Sequence, residues 1–109
     1  MKYELKSVAE LENWLEEHPL AVVHIYRETC SVCHAVLPQL ETLIDRYPGV
    51  DIGMISADRV PEIVGALSIF TVPVDLIFYE SHEVHRQGRF IRFDEFEKQL
   101  SRIYESIHS

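Results

Sequence analysis

The chain has 109 residues, 47% hydrophobic and 26% charged, the proportions of an ordinary globular domain rather than a disordered tail. Its formal net charge of -8 and the lack of any Lys/Arg cluster exclude nucleic acid as an expected partner, because such a surface repels phosphate. No apolar run approaches the roughly 20 residues that cross a bilayer, so no membrane association is expected.

The first ten residues, M-K-Y-E-L-K-S-V-A-E, lack the apolar stretch and small-residue cleavage site of a secretory signal, which predicts a cytoplasmic protein. In that compartment two cysteines three positions apart are poor structural staples, since the loop they close constrains little chain entropy. Such a pair is redox-active or metal-binding.

In chain order, Ser7 and Glu10 have capping-box spacing, and Leu11, Trp14 and Leu15 continue a helix over 7–18 that His18-Pro19 ends. Leu20 to Tyr26 is a nearly unbroken apolar run rich in Val, the pattern of a strand covered on both faces. From Ser31 the period becomes helical, with Val36, Leu37, Leu40, Leu43, Ile44 and Tyr47 on one stripe. Pro38 should kink this helix, and Pro48-Gly49 should stop it. Val50 to Ile55 reads as a second strand, and Pro61 to Leu67 as a short helix with Pro61 in its first turn. Val74 to Tyr79 reads as a third strand, and Glu80, Ser81 and His82 turn into a fourth near Val84. Phe93, Phe96, Leu100, Ile103, Tyr104 and Ile107 mark an amphipathic final helix. With no repeat, low-complexity segment or linker, residues 1–109 read as a single α/β domain. Its central mixed sheet of about four strands should carry helices on both faces.

The cysteines lie in Arg27-Glu28-Thr29-Cys30-Ser31-Val32-Cys33-His34, where the buried strand ends and a helix starts. A helix's first turn offers unpaired N–H groups and a positive dipole, and the thiolate is the reactive form of cysteine. Dipole stabilisation of about 0.3–1 kcal/mol, rising to about 2 in partly buried sites, lowers a thiol pKa by roughly one unit. Cys30, at the loop end, is therefore expected to be the exposed attacker. Cys33, one turn inside, is expected to be buried, protonated and ready to resolve a mixed disulfide.

At this point the chain resembles the thioredoxin family over nearly its whole length. The matching features are C-S-V-C, Pro38 five residues after the second cysteine, and T-V-P at Thr71 to Pro73. The resemblance implies the thioredoxin-like fold and thiol–disulfide exchange with partner proteins. It also implies a cis Pro73 beside the cysteines and a Val72 whose backbone pairs with the bound substrate strand. Typical members carry W-C-G-P-C-K where this chain has T-C-S-V-C-H, so Thr29 removes an aromatic docking residue. Ser31 and Val32 replace Gly-Pro, and His34 replaces lysine, changes that bear on thiolate stability and reduction potential.

Six residues before Cys30 the family carries a buried aspartate; here that position is His24, the one strongly polar residue in its strand. Asp75 is likewise a carboxylate in a buried run, costly without a partner. One expectation is that His24 and Asp75 pair across neighbouring strands beneath the cysteines, with His24 moving the Cys33 proton and Asp75 orienting the ring. The other is a core histidine bonded to backbone and an Asp75 that reaches solvent at an edge.

C-S-V-C-H also matches the c-type haem attachment pattern, with His34 as axial ligand. Haem attachment needs export, however, and leaves Pro38 and T-V-P unexplained. Cys30, Cys33 and His34 lack a second cysteine pair to close a zinc site, and His82 and His85 read as solvent-facing residues of a hairpin. No metal and no bound cofactor are expected, since electrons pass through sulfur. The expected protein is a monomeric disulfide oxidoreductase serving protein disulfides and restored by an external thiol reductase. A non-catalytic redox-sensing or protein-binding module on the same fold is the alternative.

Overall fold

The chain folds as β1 (Lys2–Glu4), α1 (Val8–Glu17), β2 (Leu20–Tyr26), α2 (Ser31–Ile44), β3 (Asp51–Ser56), α3 (Glu62–Ala66), β4 (Val74–Tyr79), β5 (His82–Gly88) and α4 (Phe93–His108). The computed structural model describes residues 1–108; Ser109, the last residue of the expected domain, lies outside the described residues. The sheet has five strands in the order β1-β3-β2-β4-β5. β1, β3 and β2 run parallel, and β4 and β5 pair antiparallel at the other side.

All four strands expected from hydrophobic pattern are present, and β1 is an addition. K-Y-E is too short and too charged to announce itself as a strand; it is specified by pairing with β3 and by the Met1 amino group on Asp51 Oδ1 at 2.8 Å. The strand expected over 50–55 runs Asp51–Ser56, and the one expected near Val84 runs His82–Gly88. A register shift falls between Ile77 and Phe78, and Val84 is the extra residue on β5.

Two apolar cores lie on opposite faces of the sheet. Ala21, Val23 and Ile25 of β2 point to the face covered by α1 and α3, with Leu11, Trp14 and Ile63. Leu20 and Val22 point to the other, with Leu40 and Leu43 of α2 and Phe96 and Leu100 of α4. Phe96 and Leu100 are fully buried, each contributing about 1.5–3 kcal/mol of transfer free energy. The alternation places His24 on the α2/α4 face.

Local signals act much as the residue types require. Ser7 Oγ accepts the Glu10 N–H at 3.0 Å, while the Glu10 carboxylate reaches back to the Lys6 N–H at 3.3 Å, one residue outside the expected box. Pro38 lies inside α2, and Tyr47, the last residue of the expected stripe, sits beyond the helix but still packs on its core. Gly49 has φ +94°, the left-handed conformation that turns the chain toward β3.

Candidate active site

The parallel register of β2 and β3 sets Tyr26 opposite Ser56, so the residues that follow each strand emerge side by side. Asp58 uses this adjacency. Its carboxylate accepts the Glu28 N–H at 2.8 Å and the Arg27 guanidinium at 2.9 Å, and both, the backbone donor first, hold its pKa below the usual carboxylate range. The loop so anchored delivers Cys30 to the N-cap of α2. There Cys30 Sγ accepts the Cys33 N–H at 3.1 Å, and the Cys30 carbonyl accepts the His34 N–H at 3.2 Å. Cys30 and Cys33 are joined as a disulfide with their Cα atoms 5.3 Å apart. Cys30 is half-buried and Cys33 fully buried. An N-cap sulfur that already accepts a main-chain N–H is in the position that favours its anionic form.

The Val72-Pro73 peptide is cis, and Pro73 is buried while Val72 keeps an open edge. The Val72 main-chain N–H and C=O take no hydrogen bond from the described residues, so both are free to pair with an added strand. Thr71, Val72 and Pro73 line an open groove of about 540 Å³ together with Thr29, Cys30, Ser31 and Val32, and Arg89 and Phe90 line it too. Thr29 and Ser31 are exposed and Val32 is 53% exposed. His34, also exposed, donates from Nε2 to the Glu28 carbonyl at 2.9 Å and tightens the same loop.

Within the sheet, His24 and Asp75 face each other in register across β2 and β4, and His24 Nδ1 lies 2.6 Å from Asp75 Oδ1. Both are buried, at 1% and 0% exposure, so neither the backbone-bonded histidine nor the edge aspartate describes them. Asp75 Oδ2 has no hydrogen-bond partner among the described residues. Burial pushes the Asp75 carboxyl up, and the His24 hydrogen bond offsets only part of that rise. His24 Nε2 makes no hydrogen bond within the described residues, and the ring stacks on Tyr26 at 5.8 Å.

The structure therefore gathers Thr29, Cys30, Ser31, Val32, Val72 and Pro73 around one groove, with His34 bracing its loop and His24 and Asp75 paired within the sheet. Asp58, Arg89 and Phe90 were not anticipated. The β2/β3 register, once drawn, points to Asp58; nothing in the R-F dipeptide itself marks it as a groove wall. Among the described residues no group of three or more His, Cys, Asp or Glu is placed to hold a metal ion. The β5 residue His85 instead packs edge-on against Phe96, with ring centroids 5.8 Å apart. No helix among the described residues is long and apolar enough to cross a membrane.

Comparison with known proteins gives the same picture. The thioredoxin family model matches residues 4–102. The thioredoxin-like protein YdfQ of Bacillus subtilis (strain 168) is 43% identical over 100 residues, covering 92% of this chain and 89% of that protein. The thioredoxin structure from Fasciola hepatica superposes with a TM-score of 0.82 at 23% identity, covering 94% of this chain and 98% of the other. That from Trypanosoma brucei brucei gives 0.83 at 20% identity, covering 96% and 92%. With the fold, the cysteine pair at a helix N-terminus and the cis proline all in place, this chain belongs to the thioredoxin family.

Proposed function

We propose that the protein is a thiol–disulfide oxidoreductase that exchanges the Cys30–Cys33 disulfide with partner proteins. The observation that carries this reading is the N-cap position of Cys30, whose sulfur accepts the Cys33 N–H while bonded to a fully buried Cys33. As a reductant, the Cys30 thiolate attacks a partner disulfide, forming a Cys30–partner disulfide and expelling the partner's second sulfur as a thiolate. Cys33 then loses its proton and attacks the Cys30 sulfur, releasing the partner's remaining thiol and restoring Cys30–Cys33. Two electrons have passed to the partner, and an external dithiol reductase returns them. The reverse sequence oxidises a partner dithiol. The free N–H and C=O of Val72 hold the incoming segment as an added strand, and Pro73 closes the floor of the groove. All electrons move through sulfur, so the cycle uses no bound cofactor.

An equilibrium titration against a thiol–disulfide buffer, with both thiols followed by alkylation, tests this directly. The expected result is a single reversible two-electron transition, tenfold in equilibrium constant per about 30 mV. Failure to re-form the disulfide reversibly would sink the exchange mechanism.

A further inference from the structure

The groove's walls carry unequal charge. On the Cys30 side both arginines are matched: Arg27 to Asp58 at 2.9 Å, and Arg59 to Glu28 at 2.9 Å. At the other end Arg89 has no carboxylate within ion-pair distance among the described residues, although the chain has a net charge of -8. Instead its guanidinium lies over the Phe90 ring, 5.6 Å from the centroid. The pair is held in place by the backbone. Arg89 has φ 69°, a left-handed conformation unusual for a side-chain-bearing residue, and its N–H bonds the Pro73 carbonyl at 2.8 Å. Phe90 is 79% exposed and lines the groove, an aromatic surface in a site whose Thr29 supplies none.

We propose that Arg89, seated on Phe90, selects partner segments that carry a carboxylate close to the cysteine under attack and disfavours basic ones. This rests on the exchange activity proposed above and names its substrate class. A segment paired with Val72 would lie in the groove that Arg89 also lines, which places side chains flanking the substrate cysteine within reach of the guanidinium. An acidic side chain there finds an unneutralised cation that an aromatic face already shields from water on one side. A basic side chain meets like charge.

The test uses the full chain, pre-reduced so that Cys30 and Cys33 supply the two electrons. Two peptides identical except for two Glu or two Lys flanking one cysteine each carry that cysteine as a mixed disulfide with the same chromogenic thiol. The Cys30 thiolate displaces the chromogenic thiolate from the peptide sulfur, and attack by Cys33 then frees the peptide thiol. Each rate is normalised to that of the same peptide with dithiothreitol, which also attacks as a thiolate, so the flanking charges' own effect on the disulfide's reactivity cancels.

The wild-type protein is expected to favour the acidic peptide by about three- to tenfold at low ionic strength, less as salt screens the contact. Arg89→Glu should reverse the preference. Arg102→Glu, the same change in net charge on the exposed face of α4, should retain it. Because each readout is a ratio within one variant, a general loss of activity does not imitate the result. An unchanged ratio in Arg89→Glu, or an equal loss of preference in Arg102→Glu, would overturn the assignment to Arg89 while leaving exchange intact. No release from either peptide would remove the exchange reading, and this inference with it.

Discussion

A thiol of ordinary pKa, about 8.5, is mostly protonated at pH 7, so Cys33 must give up a proton before it can attack the Cys30 sulfur. We propose that the buried His24–Asp75 pair takes this proton. With Nδ1 engaged by Asp75 at 2.6 Å, the unbonded Nε2 is the ring position left to accept a proton. In this proposal Asp75 is a positioning residue that holds the tautomer. Replacing His24 by Gln should slow resolution of a trapped Cys30 mixed disulfide about tenfold or more at pH 7. The gap should close above about pH 9, where the thiol ionises unaided. Rapid-quench alkylation across pH measures it, and parallel pH profiles for the two proteins would rule the role out. The sequence marked both residues, a histidine and an aspartate interrupting otherwise apolar runs, but left open whether they pair; the β2/β4 register decides it. Cys30, Cys33 and Pro73 were legible as a motif. Arg89 and Phe90 were not. A charged residue and an aromatic in a turn have no periodicity, and their meaning comes from a fold that bends them back to Pro73.

At the scale of elements, helices α1 and α2 and strands β2 and β4 announce themselves through pattern and caps, since each buries its own apolar stripe. β1 does not, because three residues with two charges gain their structure from β3 rather than from their own sequence. What joins these elements is a close approach across Gly53 in the middle of β3. A Cβ there would stand 2.8 Å from Leu5 Cδ1 and 2.9 Å from Trp14 Cζ3. Leu5 can swing away, but the indole of Trp14 is 7% exposed and fixed between β1 and α1, with Tyr3 and His18 rings against it. Gly53→Ala should therefore destabilise the fold by roughly 1–3 kcal/mol through overpacking, despite alanine's better backbone propensity in a strand. Urea unfolding followed by the single tryptophan reads the loss, and a variant as stable as wild type would mean α1 moves aside freely. Its Cys30–Cys33 midpoint should stay unchanged, because the strain falls on the face opposite His24.

For the whole molecule, two kinds of carboxylate pull the dependence of stability on pH in opposite directions. Asp58 and Glu97 are held below their usual pKa, Asp58 first by the Glu28 N–H and Glu97 first by Arg46. They contribute stability above the unfolded carboxylate range that is lost as pH falls through their folded values. Both are substantially exposed, so each contribution is small. Asp75 has the reverse sign. Its folded pKa is raised above the unfolded 3.8, so the native state binds the proton more tightly than the unfolded chain. Its contribution is full below 3.8 and is lost as pH rises through the raised folded value, where a carboxylate with an unpartnered Oδ2 must be kept in the core. Asp75→Asn keeps the shape and a hydrogen-bonding group toward His24 while removing that ionisation. Relative to wild type, the variant should gain stability as pH rises above about 4 and level off once the wild-type carboxyl ionises within the fold, a gain of roughly 1–3 kcal/mol, the usual cost of an unsatisfied buried polar group. Denaturant titrations at a series of pH values give the difference curve. A flat curve would mean that the charge on Asp75 is fully compensated in the fold, and a falling one that the ionised pair with His24 stabilises it. Acid unfolding below pH 4 should remain in both proteins, driven by the surface carboxylates that Asp75→Asn leaves untouched.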